Sequence, residues 1–202
     1  MALNFANNNS LSAITTLPAS ISGGGMTLIS EQTASSSSTI DFTSNIDSTY
    51  DVYCFKFINI HADTDNQAFT FQTSTNGGSS YGVTLTSTSF LAYHNESDAG
   101  SGLFYANGGD LAQSTSFQQL CFSDALGNGA DENACGELYL YNPSSTTFVK
   151  HYIARFSHNS QGDTSHDSFP AGYFNTTSAI NGIQFKMASG TIDGTIKMYG
   201  VL

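Results

Sequence analysis

The sequence predicts an all-β protein: an antiparallel β-sandwich or jelly roll over residues 26–202, preceded by an extended N-terminal arm. Three observations favour this fold class. Apolar and polar residues alternate over short runs. Turn-forming residues separate these runs at intervals of ten or so residues. No 11-residue window carries the apolar stripe of an amphipathic helix. We therefore expect eight to ten strands.

The alternating runs identify the residues that should face the core. Residues 183–187, 69–72 and 152–156 each place apolar side chains at every second position, as a strand with one buried face does. The run 52–60 is apolar on both faces apart from Lys56 and Asn59, which predicts a central strand. The predicted core consists of Phe55, Phe57, Phe69, Phe71, Leu138, Leu140, Phe156, Ile183, Phe185, Ile196 and Met198.

Glycine, asparagine and proline mark the expected turns between strands. These turns are Asn76-Gly77-Gly78, Asn107-Gly108-Gly109, Gly127-Asn128-Gly129, Asn142-Pro143 and Asp193-Gly194.

Residues 1–25 are predicted to form an arm or tether, because the Gly23–Gly25 triplet is typical of a hinge. The arm's apolar side chains need a surface to cover them, which predicts docking on a neighbouring copy; a frayed terminus is the alternative. Exchange of this kind normally closes as a symmetric oligomer, and we expect a homo-oligomer. The predicted assembly residues are Leu3, Phe5, Leu11, Ile14, Leu17 and Ile21.

Composition excludes several classes of protein. The chain has 202 residues, with 5 Lys and Arg against 16 Asp and Glu, for a formal charge of -11. Nucleic-acid binding needs clustered cations, so no nucleic-acid partner is expected. No apolar run approaches the length of a membrane span, and no secretory signal is recognisable, so no membrane association is expected. The 15 Phe and 10 Tyr argue against a disordered chain.

Three cysteines give an odd count without a Cys-x-x-Cys pair, which excludes a zinc knuckle and a thioredoxin-like motif. Cys54 lies in an apolar run and is predicted to be a buried small side chain. Cys121 and Cys135 flank a turn-rich stretch, and both a disulfide and two free thiols are compatible with that spacing. A reducing compartment favours free thiols.

No residue pattern predicts catalysis. A Gly-x-Ser-x-Gly elbow is absent, so the 29 serines do not indicate a serine hydrolase. A glycosidase would need a pair of carboxylates in a cleft, but the candidates Glu96, Asp98, Glu132 and Glu137 mostly lie in turn-rich segments. The chain also lacks Trp, the favoured ring for stacking on sugars. We predict no catalytic residue.

Metal and cofactor sites are not expected either. His151, His158 and His166 recur within sixteen positions, with Asp163 and Asp167 nearby, and could hold a transition ion. However, residues 158–167 are typical of a long polar loop, in which histidines are solvated. The acidic stretches 63–65 and 131–133 lack the full ligand spacing of a calcium loop.

Several stretches together resemble a family of roughly 200-residue proteins of marine tailed bacteriophages, including cyanophages. The resemblance runs over most of the chain from about Met26. It implies a virion structural protein assembled in the host cytoplasm and, because phage surface proteins commonly meet capsid or fibre axes with threefold symmetry, a homotrimer. The family has no catalytic residues to carry over. The stretches that carry it are Ser38–Ser44, Ile46–Asp51, Phe71–Ser80, Tyr141–Thr147 and Gly194–Gly200.

The resemblance leaves two structural roles open. A capsid decoration or cement protein would bind the major capsid protein through its arm. A head-fibre or tail-fibre protein would instead present loops to a host surface glycan or protein. Small size and the lack of a repetitive shaft favour decoration. A glycan-degrading enzyme is a third class, which would require the carboxylate pair that the sequence does not indicate.

Overall fold

The computed structural model describes residues 25–122 and 124–201, and these contain twelve β-strands and no helix. The strands are β1 (Met26–Ser37), β2 (Ile40–Phe42), β3 (Val52–Ala62), β4 (Phe69–Ser74), β5 (Leu85–Asn95), β6 (Ser101–Tyr105), β7 (Gln118–Gln119), β8 (Ala134–Tyr141), β9 (Lys150–Ser160), β10 (Thr164–Phe174), β11 (Gly182–Met187) and β12 (Ile192–Val201).

The strands form two antiparallel sheets. The larger sheet has eight strands in the order β1-β12-β3-β8-β9-β10-β5-β6, and the smaller has four in the order β2-β11-β4-β7. Most neighbours in the larger sheet are distant in sequence, so its register depends on contacts that local patterns do not specify. The face of the larger sheet that points away from the smaller sheet is called the outer face below.

Aromatic side chains join the two sheets. The ring of Phe185 on β11 lies 5.4 Å from that of Phe55 and 5.1 Å from that of Phe57, both on β3. On its own sheet it lies 6.0 Å from Phe69 and 6.2 Å from Phe71. Because these rings are fully or almost fully buried, Phe185 is the centre of the core.

The all-β class with two antiparallel sheets is confirmed, and every one of the eleven predicted core residues is buried. The strand number was underestimated, because the short strands β2 and β7 carry too few residues to show an alternating pattern. The jelly-roll arrangement within the all-β class stays a prediction.

Three local predictions were wrong. Asp193-Gly194 is not a turn between strands but lies inside β12, where the register against β3 shifts between Asp193 and Thr195. Gly194 has a φ of 125°, so a β-bulge uses the freedom of glycine here.

The prediction that residues 69–72 have one buried face was also wrong. Both faces of β4 are buried, because the loop after β6 covers the second face. In this contact, Gln72 Nε2 donates hydrogen bonds to the carbonyls of Thr115 and Ser116.

Residues 158–167 do not form a long polar loop. They belong to the β9–β10 hairpin, in which only residues 161–163 connect the strands. His158 and His166 face each other in register and are buried, with exposed fractions of 3% and 4%. The prediction failed because buried polar side chains here hydrogen-bond to one another, and composition alone does not distinguish such a cluster from a solvated loop.

The cysteines are free thiols. Cys54 and Cys121 are buried, as predicted for Cys54, whereas Cys135 is exposed on β8. Within the described ranges, no helix has the length and apolar character needed to cross a membrane.

Candidate binding face on the larger sheet

The predicted assembly residues Leu3, Phe5, Leu11, Ile14, Leu17 and Ile21 lie outside the described residues.

The predicted metal candidates are not brought together. His151 is exposed on β9, whereas His158 and His166 are buried within the β9–β10 hairpin. In the two described ranges, no three His, Cys, Asp or Glu side chains are placed to hold one ion.

The buried histidines form a pair with each other. His166 Nδ1 lies 3.1 Å from His158 Nε2, and His158 Nδ1 has no partner among the described residues. Burial, aided by the neighbouring His166, lowers the pKa of His158 to about 3. Burial also lowers the pKa of His166, and the nearby Asp124 opposes that shift. Both rings are therefore neutral at neutral pH and serve as a packed polar contact inside the hairpin.

A row of charged side chains crosses the outer face. The register places Glu31 opposite Lys197, Lys197 opposite Lys56, Lys56 opposite Glu137, and Glu137 opposite Arg155. These residues, the charge row, come from β1, β12, β3, β8 and β9 in spatial order. The chain has only five Lys and Arg, so three of its five cations lie on one line across one sheet.

Each cation of the charge row has a carboxylate partner. Lys197 Nζ lies 3.1 Å from Glu31 Oε2, and Lys56 Nζ forms an ion pair with Glu137 Oε2. The ammonium groups of Lys56 and Lys197 project from directly opposed positions, an arrangement that repels in the absence of partners. The flanking carboxylates offset this repulsion: hydrogen bonding to Glu137 raises the pKa of Lys56, and hydrogen bonding to Glu31 raises that of Lys197. Both lysines stay charged.

Arg155 is the most constrained cation of the row. Its Nε donates to Asp167 Oδ1 at 3.0 Å and its Nη2 donates to Asp167 Oδ2 at 2.7 Å. The guanidinium carbon lies 5.2 Å from the centre of the Phe169 ring, which stacks on Phe90 at 4.6 Å. A bidentate ion pair and a cation–π contact therefore fix Arg155 while its remaining N–H groups face solvent.

A cavity of about 910 Å³ lies beside the charge row. The row of side chains next to the charge row on the same face forms its floor. This row contains the small side chains Cys135, Ser157 and Ala92, with Asp167 between the last two. Lys56, Glu137 and Arg155 form one wall and His94 contributes to the other. Long charged side chains beside short ones create this depression, which is called the outer trough below.

A second, more apolar groove of about 580 Å³ lies on the other side of the charge row. Ala171 is at its floor, opposite Ile153 on β9 and Thr88 on β5. Tyr141, His151 and Tyr173 line one end, and the rings of His151 and Tyr173 are 5.9 Å apart. These residues define the tyrosine groove. The outer face thus offers charged groups beside flat aromatic surfaces.

The carboxylates considered for catalysis lie in three different segments of the chain. Glu137 belongs to the charge row, whereas Glu96 and Asp98 lie between β5 and β6, where Asp98 Oδ1 contacts His94. Glu132 lies between β7 and β8 and accepts a hydrogen bond from the backbone N–H of Gly129. Glu137 and Asp167 each form an ion pair with a cation of the charge row.

Sequence reasoning missed the charge row. Lys56 and Arg155 were visible as polar residues of alternating runs, and the scarcity of cations was a usable signal. Which strands lie side by side, however, depends on the tertiary structure.

Comparison with protein-family models, with curated proteins and with solved structures gives no match. The resemblance to phage virion proteins therefore stays a prediction, and the class that the structure supports is a two-sheet, all-β protein with a polar outer face.

Proposed function

We propose that this protein is a non-enzymatic structural protein of a bacteriophage virion that attaches to a partner through the outer face of its larger sheet. The charge row carries the attachment part of the proposal, because it gathers most of the chain's few cations beside two grooves. The resemblance in sequence supports the virion part. Of the two roles left open, this face favours receptor binding by a head or tail fibre.

A binding role is supported by the way the charged groups are held. Catalytic acids and bases need a proton to gain or lose at the reacting group. On this face the carboxylates of Glu31, Glu137 and Asp167 each contact a cation. Such paired groups keep a fixed geometry, which reduces the entropic cost of ordering them when a ligand binds.

Competition for adsorption tests this proposal. Purified full-length protein should reduce adsorption of the phage to its host cells, and Arg155→Ala should reduce adsorption less than the unchanged protein does. Lys186→Met is the matched control, because it removes a cation of β11 that lies over the Phe117 ring and not on the outer face. Inhibition by Arg155→Ala equal to that by the unchanged protein would contradict the proposal.

A capsid decoration or cement protein attached through the arm is the second candidate. The edge strand β6 favours it, because every one of its residues is exposed, including Leu103 at 69% together with Phe104 and Tyr105. An apolar edge that pairs with no further strand among the described residues suits contact with a second copy of the chain. Quantitative mass spectrometry of purified virions separates the roles, since decoration requires many more copies per particle than a fibre tip does.

A further inference from the structure

We infer that the outer face binds a neutral oligosaccharide, which occupies the outer trough, crosses the charge row and extends into the tyrosine groove. This inference rests on the proposed binding function and adds to it the chemical class of the ligand.

The balance of charge on the face favours a neutral ligand. The carboxylates of Glu31, Glu137 and Asp167 match the three cations of the charge row, so the face has no excess of either sign. A polyanion would meet these carboxylates, and it would also be repelled by a chain of net charge -11. A polycation would have to displace the lysine and arginine side chains that already pair with these carboxylates. A neutral polyol meets neither obstacle.

Hydroxyl groups match the alternation of donors and acceptors. A sugar hydroxyl both donates and accepts hydrogen bonds, so neighbouring hydroxyls can donate to Glu137 or Asp167 and accept from Lys56 or Arg155. Hydrogen bonds to charged groups are stronger than neutral ones. Arg155 is already oriented by Asp167 and by Phe169, so its free N–H groups are in place before a ligand arrives.

The tyrosine groove suits the other chemical character of a sugar. The C–H faces of a pyranose are apolar and pack against flat rings, and Tyr141 and Tyr173 provide such rings at the groove. Ile153 adds an exposed apolar surface with 54% of its area accessible, and the small Ala171 leaves room above the sheet. Exposed apolar groups that line a groove are the expected partners of this face of a sugar.

Dimensions indicate an oligosaccharide rather than a single sugar. From Lys197 on β12 to Arg155 on β9 the charge row crosses three strand spacings, or about 14 Å. The tyrosine groove begins one row of side chains away. A ligand that uses both regions must therefore contain several sugar units.

Cys135 provides a direct probe of the site. It is the exposed thiol on the floor of the outer trough, whereas Cys54 and Cys121 are buried. A thiol-reactive dye added to the native full-length protein should therefore label Cys135, and a ligand in the trough should slow the labelling.

The experiment screens neutral oligosaccharides (gluco-, manno- and xylo-hexaoses of different linkage) and acidic ones (oligoalginate and oligogalacturonate) for protection of Cys135. Affinity is then measured by isothermal titration calorimetry at low and high salt. We expect at least one neutral series to protect Cys135, with little effect of salt on its affinity. Arg155→Ala and Tyr173→Ala should each weaken binding about tenfold, as loss of one charged hydrogen bond or one stacking contact does. Lys186→Met should bind as the unchanged protein does.

Two results would overturn the inference and leave the proposed function standing. One is exclusive binding of acidic oligosaccharides with an affinity that falls steeply as salt rises. The other is that no screened saccharide binds, although Arg155→Ala inhibits phage adsorption less than the unchanged protein does. If Arg155→Ala inhibits phage adsorption as strongly as the unchanged protein, the proposed function itself is overturned.

Discussion

Arg155 on β9 and Asp167 on β10 form a diagonal, bidentate ion pair across the hairpin, in which Asp167 lies opposite Ser157, with N···O distances of 3.0 and 2.7 Å. The pair lies next to the stacked rings of Phe90 and Phe169 and beside the outer trough. Two positions twelve residues apart in the chain thus become one rigid, forked donor and acceptor unit on the outer face.

Arg155→Lys tests whether the forked geometry matters. A lysine keeps the charge but loses the planar fork and the stacking on Phe169. We expect oligosaccharide affinity to fall about tenfold with little change in melting temperature, because the side chain is largely exposed. Calorimetric titration and thermal melting measure the two effects. An unchanged affinity would show that charge alone is recognised.

Phe185→Ala tests the centre of the core. The Phe185 ring contacts Phe55 and Phe57 of the opposite sheet, and its removal leaves a cavity between the sheets. We expect the free energy of unfolding to fall by about 3–5 kcal/mol, as measured by urea denaturation. Phe148→Ala is the control, because 70% of that side chain is exposed and its loss should have little effect. Similar losses for both variants would contradict the assignment of the core.

The histidine pair predicts destabilisation in mild acid. His158 has a pKa of about 3 in the folded state, against about 6.5 for an unfolded histidine. The unfolded state therefore binds more protons at any pH between these values. The stability contribution is complete above about pH 6.5 and decreases as the pH falls toward 3, at up to about 1.4 kcal/mol per pH unit for one histidine.

Denaturation measured between about pH 6.5 and 4.5 checks this effect before most carboxylates titrate. His158→Asn should make the stability less dependent on pH over that window. An identical slope in His158→Asn would show that the buried pair does not cause the acid sensitivity.

Counting reactive thiols tests the state of the cysteines. Burial raises the pKa of both Cys54 and Cys121, which reinforces their protection from reagents. An aromatic disulfide reagent should detect one thiol in the native protein, Cys135, and all three after denaturation without reductant. A disulfide between Cys121 and Cys135 would give none in the native state and one after denaturation.

Deletion of residues 1–25 tests the assembly role of the arm. The predicted assembly residues are apolar, and each is worth about 1.5–3 kcal/mol when fully buried. If they dock on a neighbouring copy, the truncated protein should contain fewer copies per particle, as determined by light scattering, than the full-length protein, whose predicted state is a trimer. It should also no longer decorate virions. A truncated protein that keeps its oligomeric state and still attaches to virions would assign assembly to another surface. The exposed β6 edge is then the first candidate.

The sequence by itself determined the fold class and the core of this protein. Period-two alternation reports which face of a strand is buried, so Phe156 and Phe185 could be assigned to the interior without knowledge of their partners. It could not show that Asp193-Gly194 lies in a bulge or that His158 and His166 are buried together, because both depend on what packs against them.

Only the tertiary structure decided the composition of the outer face. Lys56, Glu137, Arg155 and Lys197 lie far apart in the chain, and they meet because β12, β3, β8 and β9 are neighbours in the sheet. Alternation places each of these side chains on the polar side of its own strand. The order and register of the strands arise from non-local pairing, which is set by burial of the apolar side chains on the inner face of the larger sheet. The charge row on the outer face is therefore a consequence of how the inner face packs.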